Sequence, residues 1–418
     1  MVRRTLAFLA FTLAVAGCAT APAYRGGGGP VPLGAMPGGT MSSAAPAGRT
    51  VAILASLTGP NAARGEALVN AAKLALSLQG APRLDVRDTQ GTPQGAAAAA
   101  QAALAAGAGL IIGPLTSQET AAVAAPARQA GVAVLAFTSD PAQAQPGVWT
   151  LGITPGQQVR RLVASAAAQG KTRFAAVLPE NDFGHAMAAA IAKATVSAGL
   201  GAPEIRFHGT DMASINATMR SVSNYAGRRG PLDAQIRAAR ALHTAEGRRR
   251  AAELARAPIP PAPFDALLLA DAGEQLAAVA SLLSYYDLDA PAVRVLGPAL
   301  WASTTARRDA PLNGAWFAAP DPAARAGFNA SYQAAYGAQA PGLADFAYDA
   351  AAIAAVLAQE GGYSVAALCR PEGFAGVDGV LALQPDGQVR RGLALFELGR
   401  GGPTMIEPAP DSISAPGI

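Results

Sequence analysis

The chain has 418 residues, 51% of them hydrophobic and only 14% charged, with 32 Lys and Arg against 28 Asp and Glu for a formal net charge of +4. So small a net charge on scattered arginines excludes a nucleic-acid-binding surface, and so apolar a chain of this length excludes a disordered protein and has room for two packed domains. Its two cysteines and three histidines form no disulfide framework, metal cage or Ser-His-Asp spacing, and there is no G-x-S-x-G or GK[ST] loop. No metal, cofactor or catalytic residue is therefore expected, and the chain reads as non-enzymatic.

The N-terminus reads as a targeting segment. Arg3 and Arg4 precede the apolar run Leu6 to Ala16, which is too short to span a bilayer. Val15-Ala16-Gly17-Cys18 resembles a bacterial lipobox, with Cys18 as the lipidated residue. The alternative is an ordinary signal peptide with an incidental cysteine. Residues 19–48, rich in Gly, Pro, Ala and Ser, are expected to be a flexible linker. Ala at position 19, by resemblance to Gram-negative lipoproteins, favours the outer over the inner membrane.

From Thr50 the apolar run VAILASL predicts a buried strand, broken by Thr58-Gly59-Pro60-Asn61 and followed by an alanine-rich helix. A second strand ends at Asp88-Thr89, and a helix starts at Thr92-Pro93. A third strand, Gly109 to Gly113, precedes a helix capped by Ser117. The fourth, Val132 to Phe137, runs into Thr138-Ser139-Asp140. Strand and helix alternating every 25 to 30 residues or so predicts right-handed parallel crossovers. Loops that leave the carboxyl edge of such a sheet and open helices are where ligands sit.

A second α/β series follows: Arg173 to Leu178, a helix from Gly184 to Ala198, Glu204 to His208, Phe264 to Ala270 and Val293 to Gly297. Between His208 and Phe264 lies an Arg- and Ala-rich insert, with helical spacing from about Asp233 to Arg256. Helices are expected at Ala323 to Tyr336 and Leu343 to Gln359. Pro385-Asp386-Gly387 marks a hairpin turn, and the Pro-, Gly- and Ser-rich tail from Gly401 is expected to be disordered.

The order of SLTGPNAARGEALVNAAKLAL, LIIGPLTSQETAAVAAPARQAGVAVLAF, LPENDFGHAMAAAI, PFDALLLA, AYDAAAIA and GVDGVLALQPDGQVRRGLALFEL resembles the type 1 periplasmic-binding-protein superfamily, in particular the leucine/isoleucine/valine-binding receptors. The combination of lipobox, linker and these motifs is most similar to the penicillin-binding-protein activator lipoproteins. The resemblance implies two doubly wound α/β lobes joined by three hinge segments. Lobe 1 would comprise 49–153 and 319–378, and lobe 2 would comprise 154–318 and 379–400, with crossings near Gly152-Ile153-Thr154, Phe317-Ala318-Ala319 and Val377-Asp378-Gly379.

It also implies a ligand groove. Thr58 lies in the first such loop, and Ser117, Thr138 and Ser139 match positions that hold an amino-acid carboxylate. Phe183 stands where the family usually has Tyr. The acidic partner of a ligand ammonium is missing from Gly297-Pro298-Ala299-Leu300-Trp301; Asp271 or Glu274 could substitute, though neither is at the matching place, and Trp301 is a further groove candidate. Arg228, Arg229, Arg237, Arg240 and Arg249 on the insert are candidates for docking a partner. The implied role is a periplasmic, lipid-anchored activator of a bifunctional penicillin-binding protein. The alternative is the substrate-binding protein of an ABC permease, taking an amino acid, amide or similar small polar solute.

Overall fold

A computed structural model describes residues 29–33, 50–77, 81–302, 312–414 and 417. The leader, Cys18 and most of the linker lie outside the described residues. After β1 (Val31–Pro32), which belongs to another sheet, β2 (Thr50–Ala55), β3 (Leu84–Asp88), β4 (Ala108–Ile112), β5 (Ala133–Ala136) and β6 (Val148–Thr150) form the first parallel sheet in the order β3-β2-β4-β5-β6. Helices α1 (Ala62–Ala75), α2 (Pro93–Ala105) and α3 (Ser117–Gln129) connect the strands. The interior strand β2 is buried along nearly its whole length, which is why it reads as an unbroken apolar run.

The chain then enters α4 (Pro155–Ala168), followed by β7 (Phe174–Pro179), α5 (Asp182–Ser197), β8 (Glu204–His208) and α6 (Met212–Val222). The insert is a helical hairpin, α7 (Tyr225–Ala241) and α8 (Ala245–Arg256), closed on Ile236, Ala239, Ala251 and Leu254. It breaks at His243, whose φ of 54° is left-handed, and Thr244 caps α8 by accepting from Gly247 N–H at 2.9 Å. After it come β9 (Ala266–Leu269), α9 (Gly273–Ser281), β10 (Arg294–Gly297) and β11 (Trp316–Ala319). These strands run parallel in the order β8-β7-β9-β10-β11.

Helices α10 (Ala326–Tyr336), α11 (Ala344–Glu360) and the short α12 (Val365–Leu368) return to the first lobe, where α11 packs with α1 in the core that holds Val51, Leu68 and Leu135. Strands β12 (Phe374–Gly376), β13 (Gly379–Leu383) and β14 (Val389–Arg391) follow, then β15 (Ala394–Gly399) and β16 (Gly402–Glu407). The architecture is the expected pair of α/β lobes.

Three expectations need correction. The third crossing does not fall at 377–379: β13 and β14 pair with β12, and Leu381, Leu383 and Val389 join the first-lobe core. Only at β15, antiparallel to β11, does the chain enter the second sheet, so the crossing is Gly392-Leu393. The hairpin turn closes the chain on itself before it can leave, with Trp149 Nε1–H donating to Gln384 O at 2.7 Å. The tail is not wholly irregular, because the β-prone run around Thr404-Met405-Ile406 lets β16 extend the second sheet beside β15. Within the expected linker, Val31–Pro32 add parallel to β12, with Val31 N–H bonded to Gly373 O at 3.0 Å. Proline is tolerated on such an edge strand. The second crossing comes after Ala319, which still pairs with Ala394.

Candidate functional site: the facing sheet edges and the hinge

The carboxyl edge of the first sheet is organised by one buried carboxylate. Thr116, not the expected Ser117, is the N-cap of α3, and it forms a capping box with Glu119. Glu119 Oε2 accepts from Thr116 N–H at 3.2 Å and from the Thr116 hydroxyl at 2.7 Å, while Oε1 accepts from Thr89 at 2.5 Å and from Ser56 at 3.4 Å. The side chain thereby ties together the loops after β2, β3 and β4. Gly65 lets α1 lie against the same place, since a Cβ there would overlap the Ser56 carbonyl. Replacing Glu119 by Ala strands these buried donors, at about 1–3 kcal/mol for each one left without a partner. The expected loss is about 2 kcal/mol or more, read as a lowered urea midpoint.

Ser117 and Thr138 do come together, with their hydroxyl oxygens 3.0 Å apart at the start of α3. Thr138 is buried and also accepts from Asp140 N–H at 3.1 Å, whereas Ser139 is exposed. Thr58 is exposed and donates to Asp88 Oδ2 at 2.8 Å. Asp88 Oδ1 takes the N–H groups of Leu57 and Gln90. Burial works against its ionised form, but the bonds from Gln90, Thr58 and Leu57 outweigh it and hold its pKa below the ordinary carboxylate value. Asp88 is therefore a loop brace.

On the facing edge of the second sheet, Asn181 caps α5 through Gly184 N–H at 2.9 Å, and Phe183 is half-buried against the core under α4 and α5. Asp271 is only 3% exposed, and its Oδ2 lies 3.2 Å from His208 Nε2; His208 Nδ1 meets Gly209 O at 2.8 Å. Burial alone would lower the pKa of His208, but the Asp271 carboxylate and the Gly209 carbonyl prevail and raise it. The pair is closed on itself, which corrects the groove role expected for Asp271. Trp301 is 0% exposed, packed in the core with Leu276 and Phe317, and donates to Asp271 O at 2.9 Å. It is a core residue, not a groove wall.

A raised histidine pKa stabilises the fold fully below the unfolded value, about 6.5, and that contribution is lost as pH rises through the folded value. His208→Gln is expected to remove it. The difference in urea midpoint between wild type and variant should then be larger at pH 5.5 than at pH 8.5.

The insert divides the candidate docking arginines. Arg228 is buried and donates to the carbonyls of Ser223, Tyr286 and Pro260, so it is a structural tie and not a docking residue. Arg229 pairs with Asp233 at 2.9 Å. Arg237, Arg240 and Arg249 are exposed.

The crossings converge on a buried ionic cluster. Arg391, at the end of β14, is 1% exposed and donates to Leu151 O at 3.0 Å, tying the third crossing to the first. Its Nη1 lies 3.9 Å from Asp349 Oδ2, and Asp349 Oδ1 accepts from Val377 N–H at 2.8 Å. Arg325, six residues past the second crossing, reaches Asp345 at 2.9 Å and Asp378 at 3.6 Å. Burial, opposed by Arg391 and reinforced by Asp378, pushes Asp349 up to about 7. Burial and the facing Asp378 carboxyl raise Asp345 as well. Ile153, in the first crossing, packs against the cores of both lobes.

The model of the periplasmic binding protein family matches residues 49–403. The chain belongs to the periplasmic binding protein family. Among solved structures, a protein assigned as a branched-chain amino acid ABC transporter from Rhodospirillum rubrum is 20% identical at a TM-score of 0.62, covering 85% of this chain and 99% of that one. The C-domain of LpoA from Haemophilus influenzae, a regulator of PBP1A, is 17% identical at a TM-score of 0.60, covering 85% and 99%. Full-length LpoA from that organism is 16% identical at a TM-score of 0.59, covering 86% of this chain but only 59% of LpoA. These likenesses establish a shared fold. No curated protein matches the sequence.

For a periplasmic binding protein, the arrangement is lopsided. The first lobe keeps the hydroxyl pair Ser117–Thr138 at a helix start, suited to an anionic group. Of the second-lobe candidates, Asp271 is occupied and Trp301 is turned into the core. The sequence reasoning missed Glu119 and the hinge cluster. The Thr116-x-x-Glu119 spacing was a legible capping-box signal, whereas Asp349, Asp378 and Arg391 carry no local sign that they meet.

Proposed function

We propose that this member of the periplasmic binding protein family is a non-enzymatic envelope protein that acts by contacting another protein, as an activator of a bifunctional penicillin-binding protein. The observation that carries this reading is the closed His208–Asp271 pair. With Asp271 held at 3.2 Å and buried, it is not available to neutralise a ligand ammonium, and burying that charge unpaired costs several kcal/mol. The likeness in fold to the LpoA C-domain supports the same reading.

In this proposal Cys18 carries a lipid anchor, with the outer membrane favoured, and the exposed Arg237, Arg240 and Arg249 face the partner. Because β1 is part of the fold, only the twelve residues Ala19 to Pro30 separate the anchor from the first lobe. Fully extended they reach about 40 Å. The lobes themselves would extend over 50–153 with 320–391, and over 154–319 with 392–407. Adding the purified protein to a bifunctional penicillin-binding protein is expected to raise its rate of peptidoglycan synthesis several-fold. No change in rate, with no association in a pull-down from solubilised envelope, would defeat the proposal.

A second reading has its own observation. The Ser117–Thr138 hydroxyl pair can hold an anion without an ammonium site opposite it. A receptor for a carboxylate that lacks an amine, delivering to an ABC permease, would use this half-site. A saturable thermal shift with such a carboxylate, abolished by Thr138→Val, would favour that reading.

A further inference from the structure

A second concave site lies on the outer seam between the lobes, away from the facing sheet edges. A cavity of about 180 Å³ is lined by Pro141 and Gln388 from the first lobe and by Gly156, Arg160, Lys193 and Ser197 from the second. Pro141 belongs to the loop after β5, and Gln388 to the turn between β13 and β14. Gly156 lies in the first turn of α4, a helix whose N-terminal N–H groups carry partial positive charge.

The charges at this cavity all have one sign. Among the described residues neither Arg160 nor Lys193 has a carboxylate within ion-pair distance, and no acidic side chain lines the cavity. The Arg160 side chain is part-buried on α4 and, among the described residues, has no hydrogen-bond partner. Its charged neighbour is a second cation, Arg390, and burial together with Arg390 weakens its hold on its proton. A guanidinium withdrawn from water beside another cation is unfavourable unless an anion joins it. Other buried or part-buried arginines of this fold have an acceptor: Arg325 meets Asp345, Arg161 meets Glu407 and Arg294 meets Glu397.

We propose that this cavity is a binding site for a small oxyanion, a phosphate or sulfate group, held by Arg160, Lys193 and the first turn of α4. The wall is shared between lobes, so a bound anion bridges Gln388 to α4 and α5 and favours the lobe orientation seen here. Arg160 supplies the planar donor fork suited to such a group, Lys193 a point charge, and Gln388 and Ser197 neutral hydrogen-bonding groups. The shared chemistry leaves two sources, the free ion and a phosphate ester such as a lipid headgroup or a phosphorylated sugar.

The test is a calorimetric titration of the purified full chain with inorganic phosphate, sulfate and glycerol phosphate, at ionic strength held constant with chloride. Saturable binding of one of these is expected, weakened at least tenfold by Arg160→Gln and by Lys193→Gln and unchanged by Arg173→Gln, a residue that does not line the cavity. Tighter binding of the ester than of both free ions would assign the site to an esterified group; the reverse would assign it to the free ion. Small-angle scattering should show a narrower range of lobe separations with the anion bound. Arg160→Gln removes a like-charge contact, so the variant is expected to fold at least as stably as wild type without phosphate. Heats no larger than those of chloride, or binding that Arg160→Gln leaves intact, would overturn the proposal.

Discussion

Arg391→Met is expected to destabilise the protein by about 3 kcal/mol at pH 8, because removing one partner of a buried ion pair leaves the other uncompensated. The native guanidinium faces Asp349 at 3.9 Å and holds Leu151 O at 3.0 Å, with both charged side chains fully buried. The cost should depend on pH in a definite direction. Asp349 is pushed up to about 7 in the fold, against 3.8 for its ordinary value. Between those values the folded carboxyl keeps a proton that the unfolded chain releases, so its contribution to stability is fullest below the lower value and falls as pH rises towards 7. At pH 5 Asp349 is neutral in wild type and variant alike, and the variant forfeits chiefly the bond to Leu151 and the attraction of the other carboxyls. Above pH 7 the wild type ionises Asp349 beside Arg391, whereas the variant must keep it protonated. The loss should therefore grow from pH 5 to pH 8.5 in urea denaturation curves. A loss that is flat or reversed with pH would mean that Asp349 does not titrate against Arg391.

Trp301→Ala should cost about 3–5 kcal/mol, the range for truncating a large aromatic in a packed core. The ring lies on Gly297, where a Cβ would overlap it, and its N–H satisfies the Asp271 carbonyl. This outcome separates two roles for one residue. A tryptophan in a ligand groove would change affinity and leave the urea midpoint nearly unmoved. A core tryptophan lowers the midpoint whether or not any ligand is present. Trp301→Phe keeps most of the apolar volume and should lose about 1–2 kcal/mol, much of it from the unpaired carbonyl.

What the sequence made legible follows from the range of the forces involved. The parallel strands and their crossovers are written in local patterns, a buried apolar run such as Thr50–Ala55 followed by a turn and an alanine-rich helix, and these were read correctly. Pairings between distant segments leave no local mark. The strand Val31–Pro32 sits in a Gly- and Pro-rich stretch and forms only because β12, more than 300 residues on, offers it an edge. The third crossing was misplaced for the same reason, since Leu381, Leu383 and Val389 could equally have faced either lobe until their strand partners were known.

The site divides in the same way. Ser117 and Thr138 follow consecutive strands of one sheet, so their meeting is a consequence of topology. His208 and Asp271 are 63 positions apart, and nothing near Asp271 shows that a histidine will claim it. The burial of Arg228 did have a signal. It lies four, eight and eleven residues before Leu232, Ile236 and Ala239, the apolar stripe of α7, so helical phase alone separates it from Arg229, Arg237 and Arg240.

The central claim is that Asp271, buried and held by His208, does not neutralise the ammonium of a zwitterion in the groove. Calorimetric titration of the purified protein with leucine, valine and glutamate tests it most directly. The account predicts no saturable heat for any of them up to millimolar concentration. Stoichiometric binding of a free amino acid at micromolar concentration would contradict it.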